Sequence, residues 1–294
     1  MLRCERLPRF VTWEIPDIDA LFDDDRRLID AVARRGVEAL PVSWSDEVDW
    51  ASFDLAVLRS TWDYVDRLPD FLDALGRIER TGCALRNPLD AVRWNSDKRY
   101  LEALAEWGVP VVPVVRASPR DPEAAVRAVA TAGWDELVVK PAVGVGGSGV
   151  ERVSAARLPD RLGSADEAVL VQPFVDSVVE EGEFSYVVIG GEVSHALRKR
   201  PAPGDFRAHG IYGGTVKVHD ATAEDLGAVT AMNARLPFDL DYARIDVVRV
   251  DGRLAVLELE LIEPMLYLAL DPRAADRLAA AILGRRPDAG ASRG

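Results

Sequence analysis

The sequence predicts a mixed α/β protein of two or three lobes, in which the first lobe is an open α/β domain and the later lobes are of α+β type. A chain of 294 residues with 48% hydrophobic content can bury a large core, and such a core usually divides between lobes. Residues 1–93 alternate helical and strand-like periodicity. The segments are a helix over Leu21–Arg35, a strand over Phe53–Leu58 and a helix over Phe71–Arg80.

Residues 94–172 form the second predicted lobe. Its expected elements are a helix starting near Ser96, a strand at Val111–Val115, a helix over Asp121–Ala130 and a strand ending at Lys140. With Ser96 as the N-cap, Lys98 and Arg99 would lie in the first helical turn, where the helix dipole disfavours cations. A bound anion would resolve that conflict.

The third predicted lobe covers residues 173–284 and is mostly strands. The elements expected from Val169 onward are strands at Val169–Gln172, Phe184–Ile189 and Glu192–Arg200, an acidic hairpin, and a closing helix over Arg273–Leu283. Residues 285–294 are rich in Gly, Arg and Ala, and we expect a disordered tail there.

Composition limits the classes of partner. A net charge of −13 argues against nucleic acid, because proteins that neutralise phosphates concentrate Lys and Arg. The two cysteines, Cys4 and Cys83, have no metal-ligand spacing. Since we find neither a signal peptide nor a long apolar run, we expect a cytoplasmic protein that binds no membrane and acts on a small molecule. A homodimer is an open option.

Three acids mark the segment 243–260. Aliphatic runs on both sides of Asp251-Gly252 predict a β-hairpin, in which Glu258 and Glu260 share a face and Asp246 lies beside them. Carboxylates held together need a cation, and oxygen ligands of this kind suit Mg²⁺ that is also bound to phosphate. The alternative is an amphipathic hairpin with a solvated acidic face.

A lysine followed by glycines forms the second candidate site, in residues 136–150. Lys140 ends a buried strand, and Gly144, Gly146, Gly147 and Gly149 follow it. A lysine and glycine-rich backbone N–H groups can hold phosphate together. The glycines also satisfy G-x-G-x-x-G, but the strand-like residues 150–153 that follow disfavour a dinucleotide fold, which would need a helix there.

These motifs belong to an ordered series along residues 90–270. The series is Asp97-Lys98, Val138-Val-Lys-Pro141 with its glycine loop, Val169-Leu-Val-Gln-Pro-Phe174, Gly182-Glu-Phe-Ser185, Arg198-Lys-Arg200, Gly213-Gly214, Arg244-Ile-Asp246 and Glu258-Leu-Glu260. In this order the motifs resemble those of the ATP-grasp ligases, so a three-lobed ATP-grasp fold is expected. Four further stretches resemble the D-cycloserine synthetase group within that family: residues 59–64, 93–98, 198–207 and 258–264.

The resemblance implies ATP and Mg²⁺ as cofactors and assigns roles to residues. Those implied to contact ATP are Lys98, Lys140, Gly144, Gly146, Gly147, Ser148, Gln172, Phe174 and Glu183. Those implied to act on the transferring phosphoryl group or the substrate carboxylate are Lys199 or Arg198, Arg244 and Arg207. Those implied to hold metal are Asp246, Glu258 and Glu260, with Glu260 standing where the family usually has Asn.

Two segments are candidates for substrate recognition. Arg59, Thr61, Trp62 and Tyr64 lie at the end of a predicted strand, where open α/β sheets bind ligands. The segment Pro201–Gly214, rich in Pro and Gly, is a candidate lid. Its expected substrate contacts are Asp205, Arg207, His209 and Gly214.

The function implied is ligation through an acyl-phosphate that nitrogen attacks. Its most specific form is cyclisation of the amino-acid-like O-ureido-D-serine to D-cycloserine, a step of antibiotic biosynthesis. A carboxylate–amine ligase for two separate substrates is the first alternative. A non-catalytic ATP-binding protein and a nicotinamide oxidoreductase are the others.

Finally, the run Asp23-Asp24-Asp25 is expected to be the solvated start of a helix.

Overall fold

A computed structural model describes residues 1–7, 18–208 and 213–284. Within them the strands form three sheets that follow one another along the chain. The predicted tail and His209 lie outside the described residues. No helix in the described part is both long and apolar enough to cross a membrane.

The first sheet is parallel and has the order β2-β1-β3-β4. Its strands are β1 (Leu2–Arg3), β2 (Val42–Ser43), β3 (Leu55–Ser60) and β4 (Ala84–Arg86), with helices α1 (Asp23–Ala33), α2 (Leu68–Arg80) and α3 (Leu89–Asn95). The strand predicted at Phe53–Leu58 and both predicted helices are confirmed, with small shifts of their ends. The sequence did not predict strands β1, β2 and β4, because each has only two or three residues and shows no periodicity.

The second sheet is antiparallel, in the order β5-β8-β6-β7. It contains β5 (Val115–Ala117), β6 (Glu136–Pro141), β7 (Glu151–Ser154) and β8 (Val169–Pro173), and it carries α5 (Pro122–Ala132) and α6 (Leu158–Gly163). The Asp121 side chain caps α5 by accepting from the Ala124 N–H at 3.1 Å. β7 follows the glycine loop directly, so the helix that a dinucleotide fold requires is not there.

The third sheet is antiparallel, in the order β11-β10-β9-β12-β13. Its strands are β9 (Glu183–Ile189), β10 (Glu192–Arg200), β11 (Thr215–Val218), β12 (Tyr242–Val250) and β13 (Arg253–Glu260). The remaining helices are α4 (Tyr100–Glu106), α7 (Ser177–Glu180), α8 (Ala223–Asn233) and α9 (Ala274–Gly284). Helix α4 precedes the second sheet in sequence, yet Leu101 and Leu104 pack into the core of the third sheet.

Two predictions about the second block were wrong. Ser96 ends α3 instead of starting a helix, and its hydroxyl donates to the Arg93 carbonyl at 3.0 Å. Lys98 therefore lies in the connection between α3 and α4, outside a first helical turn. The strand predicted at Val111–Val115 begins only at Val115, as β5. Val111 forms an isolated bridge to Val256, which belongs to the third sheet.

The first and third sheets share a core, which fixes their relative position. Leu28 of α1, Leu278 and Ile282 of α9, and Val187 of β9 are buried in one apolar cluster. Asp24 and Asp25, predicted to be solvated, are buried at this junction. Their carboxylates serve long-range contacts instead of facing water, so only Asp23 fits the prediction.

Candidate active site

A cleft receives side chains from all three sheets. Those that line it include Trp62 and Tyr64 after β3, Lys140 of β6, and acids and bases from β9, β10, β12 and β13. Sequence-predicted residues in its wall are Trp62, Tyr64, Lys98, Lys140, Gly144, Gly146, Gly147, Ser148, Gln172, Phe174, Glu183, Lys199, Arg207, Arg244, Asp246, Glu258 and Glu260. The fold thus gathers at one place residues that lie far apart in sequence.

The acidic hairpin forms as predicted. Asp251 and Gly252 have φ of 49° and 76°, the pair of positive values that a tight turn of this kind requires. β12 and β13 pair so that Asp246 lies opposite Glu258 and Arg244 opposite Glu260. Residues paired across antiparallel strands share a face, and these four side chains all reach the cleft.

Buried cations neutralise Asp246. Arg244 Nη2 lies 2.8 Å and Lys199 Nζ 3.2 Å from its Oδ2, and Lys199 also binds Glu183 Oε1 at 2.8 Å. Burial alone would raise the pKa of Asp246, but Arg244 and Lys199 hold it well below its usual value. Asp246 is therefore ionised and fully paired, which the sequence-based expectation of a self-repelling cluster did not foresee.

Two lysines contact strand β13 of the hairpin. Lys98 Nζ is 2.9 Å from Glu258 Oε1 and donates to the Gly144 carbonyl at 2.7 Å. Lys140 Nζ donates to the Leu257 carbonyl at 3.3 Å, and burial lowers the pKa of Lys140 to about 8. A buried ammonium with one neutral acceptor is stabilised by an incoming anion.

The loop beside these lysines needs its glycines. Gly146, Gly147 and Gly149 have φ of 63°, 71° and 70°, a region that other residues rarely enter. A Cβ on Gly149 would also lie 2.9 Å from Pro141 Cγ. The loop can therefore keep its backbone close to the two lysines.

The donor set fits magnesium bound jointly with phosphate. Within the described part of the chain, no three acid, His or Cys side chains already form a metal-binding group. Glu258 and Glu260 nevertheless present carboxylates to the cleft. Mg²⁺ usually takes one or two protein carboxylates and completes its shell with phosphate and water. Both oxygens of Asp246 already accept from Arg244, so Asp246 would reach a metal only by giving up part of that contact.

A fifth acid of the cleft wall, Glu263, was missed by sequence reasoning. It is 8% exposed and lines the cleft three residues after Glu260. Burial first, and then the charge of Glu260, raise the pKa of Glu263 to about 8, and burial raises the pKa of Glu260 to about 7 in spite of Arg244. In the sequence, Glu263 is marked only by its place in residues 258–264, one of the stretches that resemble the D-cycloserine synthetase group.

The raised pKa of Glu263 predicts a pH-dependent stability. Between its ordinary pKa of 4.5 and about 8, folded Glu263 holds a proton that the unfolded chain releases. The free energy of unfolding should therefore fall as pH rises from about 5 to 8, by up to about 1.4 kcal/mol per unit from this group. Glu263→Gln should flatten that slope in urea unfolding without ligands. Equal slopes for the variant and the wild type would contradict the assignment.

The hinge between the second and third sheets carries Gln172 and Phe174. The Gln172 amide donates to the Val112 carbonyl at 3.1 Å, and its Oε1 is buried without a partner among the described residues. The Arg152 guanidinium lies 3.7 Å from the centroid of the Phe174 ring. The Phe206 ring packs edge-on against the same Phe174 ring, with 6.2 Å between the two centroids. The proposed lid therefore touches the hinge through Phe206.

The described part of the lid is organised around Asp205. Its carboxylate accepts from Arg207 Nη2 at 2.8 Å and from the Phe206 backbone N–H at 2.7 Å. The hydrogen bond from Arg207 lowers the pKa of Asp205 to about 2. Arg207 lines the cleft, whereas Asp205 and Gly214 do not. Asp205 therefore holds Arg207 and does not itself form the cleft wall.

Three further predicted site residues do not line the cleft. Arg198 neighbours Lys199 on β10, and because adjacent strand residues face opposite ways it points away from the cleft, donating to the Glu181 carbonyl. Arg59 is buried, with Nη2 2.9 Å from the Pro264 carbonyl and Nε 3.6 Å from Asp25 Oδ1. Thr61 is fully buried and does not line the cleft.

Comparisons with known proteins place these features in a family. Residues 2–87 match the model of the D-cycloserine synthetase DcsG N-terminal domain, and residues 99–264 match the RimK-like ATP-grasp domain. The chain is 35% identical to the cycloserine biosynthesis protein DcsG of Streptomyces lavendulae, over 88% of this chain and 92% of that protein.

A solved structure and a second relative extend the comparison. The crystal structure of D-cycloserine synthetase DcsG superposes with a TM-score of 0.80 at 32% identity, over 90% of this chain and 95% of that one. A probable alpha-L-glutamate ligase of Xanthomonas euvesicatoria pv. vesicatoria is 30% identical over 63% of each chain. The likeness to the synthetase thus includes the N-terminal domain.

Proposed function

The chain belongs to the ATP-grasp ligases, and from this membership we propose that it uses ATP and magnesium to close a ring within one amino-acid-like substrate. The specific reaction proposed is cyclisation of O-ureido-D-serine to D-cycloserine, in which the ureido nitrogen bonded to oxygen attacks the activated carboxyl with loss of phosphate, and its carbamoyl group is released by hydrolysis as CO2 and NH3. Its main support is that the similarity to D-cycloserine synthetase extends across 88% of the chain, including the N-terminal domain, which contributes Trp62 and Tyr64 to the cleft wall.

The cleft wall suits activation of a carboxylate. A carboxylate is a poor electrophile, because its charge repels nucleophiles and oxide leaves badly, and phosphorylation removes both obstacles. Lys98, Lys140, Lys199 and Arg244 bring positive charge to the cleft wall, where charge develops during phosphoryl transfer. Magnesium, held by Glu258 and Glu260 with Asp246 adjacent, would add further charge neutralisation at the phosphates.

Water must be kept from the acyl-phosphate until nitrogen attacks. The glycine loop and the described part of the lid, residues 201–208, both border the cleft. Closure of the two over bound substrate would exclude water and favour attack by a nitrogen of the same molecule.

The proposal is tested by incubating the protein with ATP, Mg²⁺ and O-ureido-D-serine. We expect substrate-dependent ADP release and a product with the mass of D-cycloserine. Tight ATP binding without ADP release for any candidate acid would instead favour a non-catalytic nucleotide-binding protein.

Ligation of two separate substrates is the second candidate, favoured by the 30% identity to the probable alpha-L-glutamate ligase. The two functions differ in stoichiometry. An intermolecular ligase would release ADP only when an acid and an amine are both supplied, and its product mass would contain both. ADP release with O-ureido-D-serine alone, together with a product of the mass of D-cycloserine and no product that joins two substrate molecules, would exclude this candidate.

Lys140 offers a test of the nucleotide site. Because its buried ammonium has only the neutral Leu257 carbonyl as a described hydrogen-bond acceptor, an ATP phosphate should gain a charge-assisted hydrogen bond there. Lys140→Ala should weaken ATP binding by ~1.5 to 3 kcal/mol in calorimetry. Lys217→Ala, at an exposed position on β11, is the matched control. Unchanged affinity in Lys140→Ala would remove Lys140 from the phosphate site.

A further inference from the structure

Glu263 is a buried carboxylate that faces the cleft without a partner. It is 8% exposed and lines the cleft, and within the described residues its carboxylate accepts no hydrogen bond and makes no ion pair. The other acids of the wall differ, since Glu183, Asp246, Glu258 and Glu260 each have a Lys or Arg partner. Ionising this carboxyl without a cation nearby is costly, which is why burial raises its pKa, and a cationic ligand would stabilise its ionised form.

The backbone that carries Glu263 is held by side chains from distant parts of the chain. Trp62 Nε1 donates to the Glu263 carbonyl at 3.3 Å, Arg59 Nη2 to that of Pro264 at 2.9 Å, and the Tyr242 hydroxyl to that of Ile262 at 2.9 Å. Two residues predicted to touch substrate, Arg59 and Trp62, thus position Glu263.

Anchoring continues on the far side of Glu263. Arg244 Nη1 donates to the Met265 carbonyl at 3.0 Å. Asp24 accepts from the backbone N–H groups of residues 266, 267 and 268 at 2.6, 2.9 and 2.7 Å. The backbone of Glu263 is therefore fixed on both sides, which keeps its side chain at the cleft wall. The site is preorganised for whatever binds there.

The local charge selects a cation. Glu260 and Glu258 raise the pKa of Glu263 by their negative charge, whereas Lys98 and Arg244 lower it. Without a ligand Glu263 keeps its proton up to about pH 8. A compact ammonium group would favour the ionised carboxylate and neutralise it, whereas a neutral N–H donor would leave its charge uncompensated. The part of the wall formed by Trp62, Tyr64 and Met265 is aromatic and apolar.

From these observations we propose that Glu263 binds the protonated α-amino group of the substrate and so determines specificity for amino acids over simple carboxylic acids. The inference rests on the proposed function, because it takes the substrate of that reaction as the ligand. The ammonium held at Glu263 would orient the molecule, so that its carboxylate lies toward Arg244 and the phosphate-binding lysines.

The test compares Glu263→Gln with the wild type in calorimetry, with Mg²⁺ and a non-hydrolysable ATP analogue present. The ligands are O-ureido-D-serine, its deamino analogue 3-(ureidooxy)propanoate, and O-methyl-D-serine, which keeps the amine but lacks the ureido group. Glu263→Gln should weaken both amine-bearing ligands by about 10- to 150-fold, the range for one charge-assisted hydrogen bond. It should leave the deamino analogue within about threefold.

Two further measurements separate binding from folding. Above pH 8, where Glu263 is ionised, Glu263→Gln should melt at the same temperature as the wild type or higher without ligands, because it removes an uncompensated charge. Glu263→Asp keeps that charge, so it should bind the amine-bearing ligands more tightly than Glu263→Gln does. Neither variant should change ATP affinity.

The outcomes are distinct. If the wild type neither binds nor turns over O-ureido-D-serine, the proposed function fails and the inference falls with it. If the wild type turns it over but Glu263→Gln binds all three ligands as well as before, only the inference is overturned. Weakening of the deamino analogue with O-methyl-D-serine unaffected would mean that Glu263 binds the ureido group, which also overturns it.

Discussion

Glu258→Gln is expected to lower ligase turnover by about 100- to 1000-fold while leaving the fold intact. The scale is that for loss of one preorganised stabiliser of developing charge. Glu258 carries the charge that pairs with Lys98, and it is one of two carboxylates placed to hold magnesium. An amide can still accept a hydrogen bond from Lys98, so stability should change little.

Asp246→Asn should lose as much activity but should also destabilise the protein. Asp246 forms ion pairs with Arg244 and Lys199, and both cations are nearly inaccessible to water. Replacing the Asp246 carboxylate by an amide therefore removes a negative charge that these two buried cations need. Removing one member of a buried ion pair costs ~3 to 5 kcal/mol. Relief of repulsion between the acids is therefore not expected here, although it is expected at Glu263 above its pKa of about 8.

ADP release, thermal unfolding and the magnesium dependence of turnover would be measured for both variants. Glu192→Gln, at an exposed position on β10, is the matched control and should behave as wild type. Near-normal turnover in Glu258→Gln or in Asp246→Asn would show that the hairpin acids do not form the metal site.

Local signals explain why the hairpin and the glycine loop could be predicted from sequence. Asp251-Gly252 supplies two positive φ values in the middle of aliphatic runs, and the pairing of Asp246 with Glu258 follows from that turn. The motifs of the ATP-grasp family then identified most of the cleft wall. These features depend on neighbours within about 20 residues, which is the range that periodicity and turn chemistry describe.

The errors come from contacts that are remote in sequence. Asp24 was assigned to solvent because acids suit a helix start, yet its partners are backbone groups of residues 266–268. Arg198 and Lys199 could not be told apart, because only strand pairing decides which of two neighbours faces the cleft. The backbone on either side of Glu263 is held by hydrogen bonds from Arg59 of β3 and Tyr242 of β12. No local sequence pattern predicts these contacts.

Arg207→Ala is expected to reduce turnover by about 100-fold or more while changing the ATP dissociation constant by less than about threefold. Arg207 reaches the cleft from the lid and is held at Asp205, which places its cation to meet the substrate carboxylate or the forming acyl-phosphate. A group that acts on charge developing after ATP has bound affects turnover and not nucleotide affinity. Turnover and calorimetric ATP binding are the two measurements.

The matched control is Arg200→Ala, which removes an exposed arginine beside the start of the same segment and should keep turnover within about twofold. Protease cleavage within residues 201–208 should also slow when an ATP analogue and substrate are both bound, because a closed lid shields its backbone. Normal turnover in Arg207→Ala, together with equal cleavage with and without ligands, would make this segment an ordinary surface connection. Substrate would then be recognised only by the fixed wall formed by Trp62, Tyr64 and Glu263.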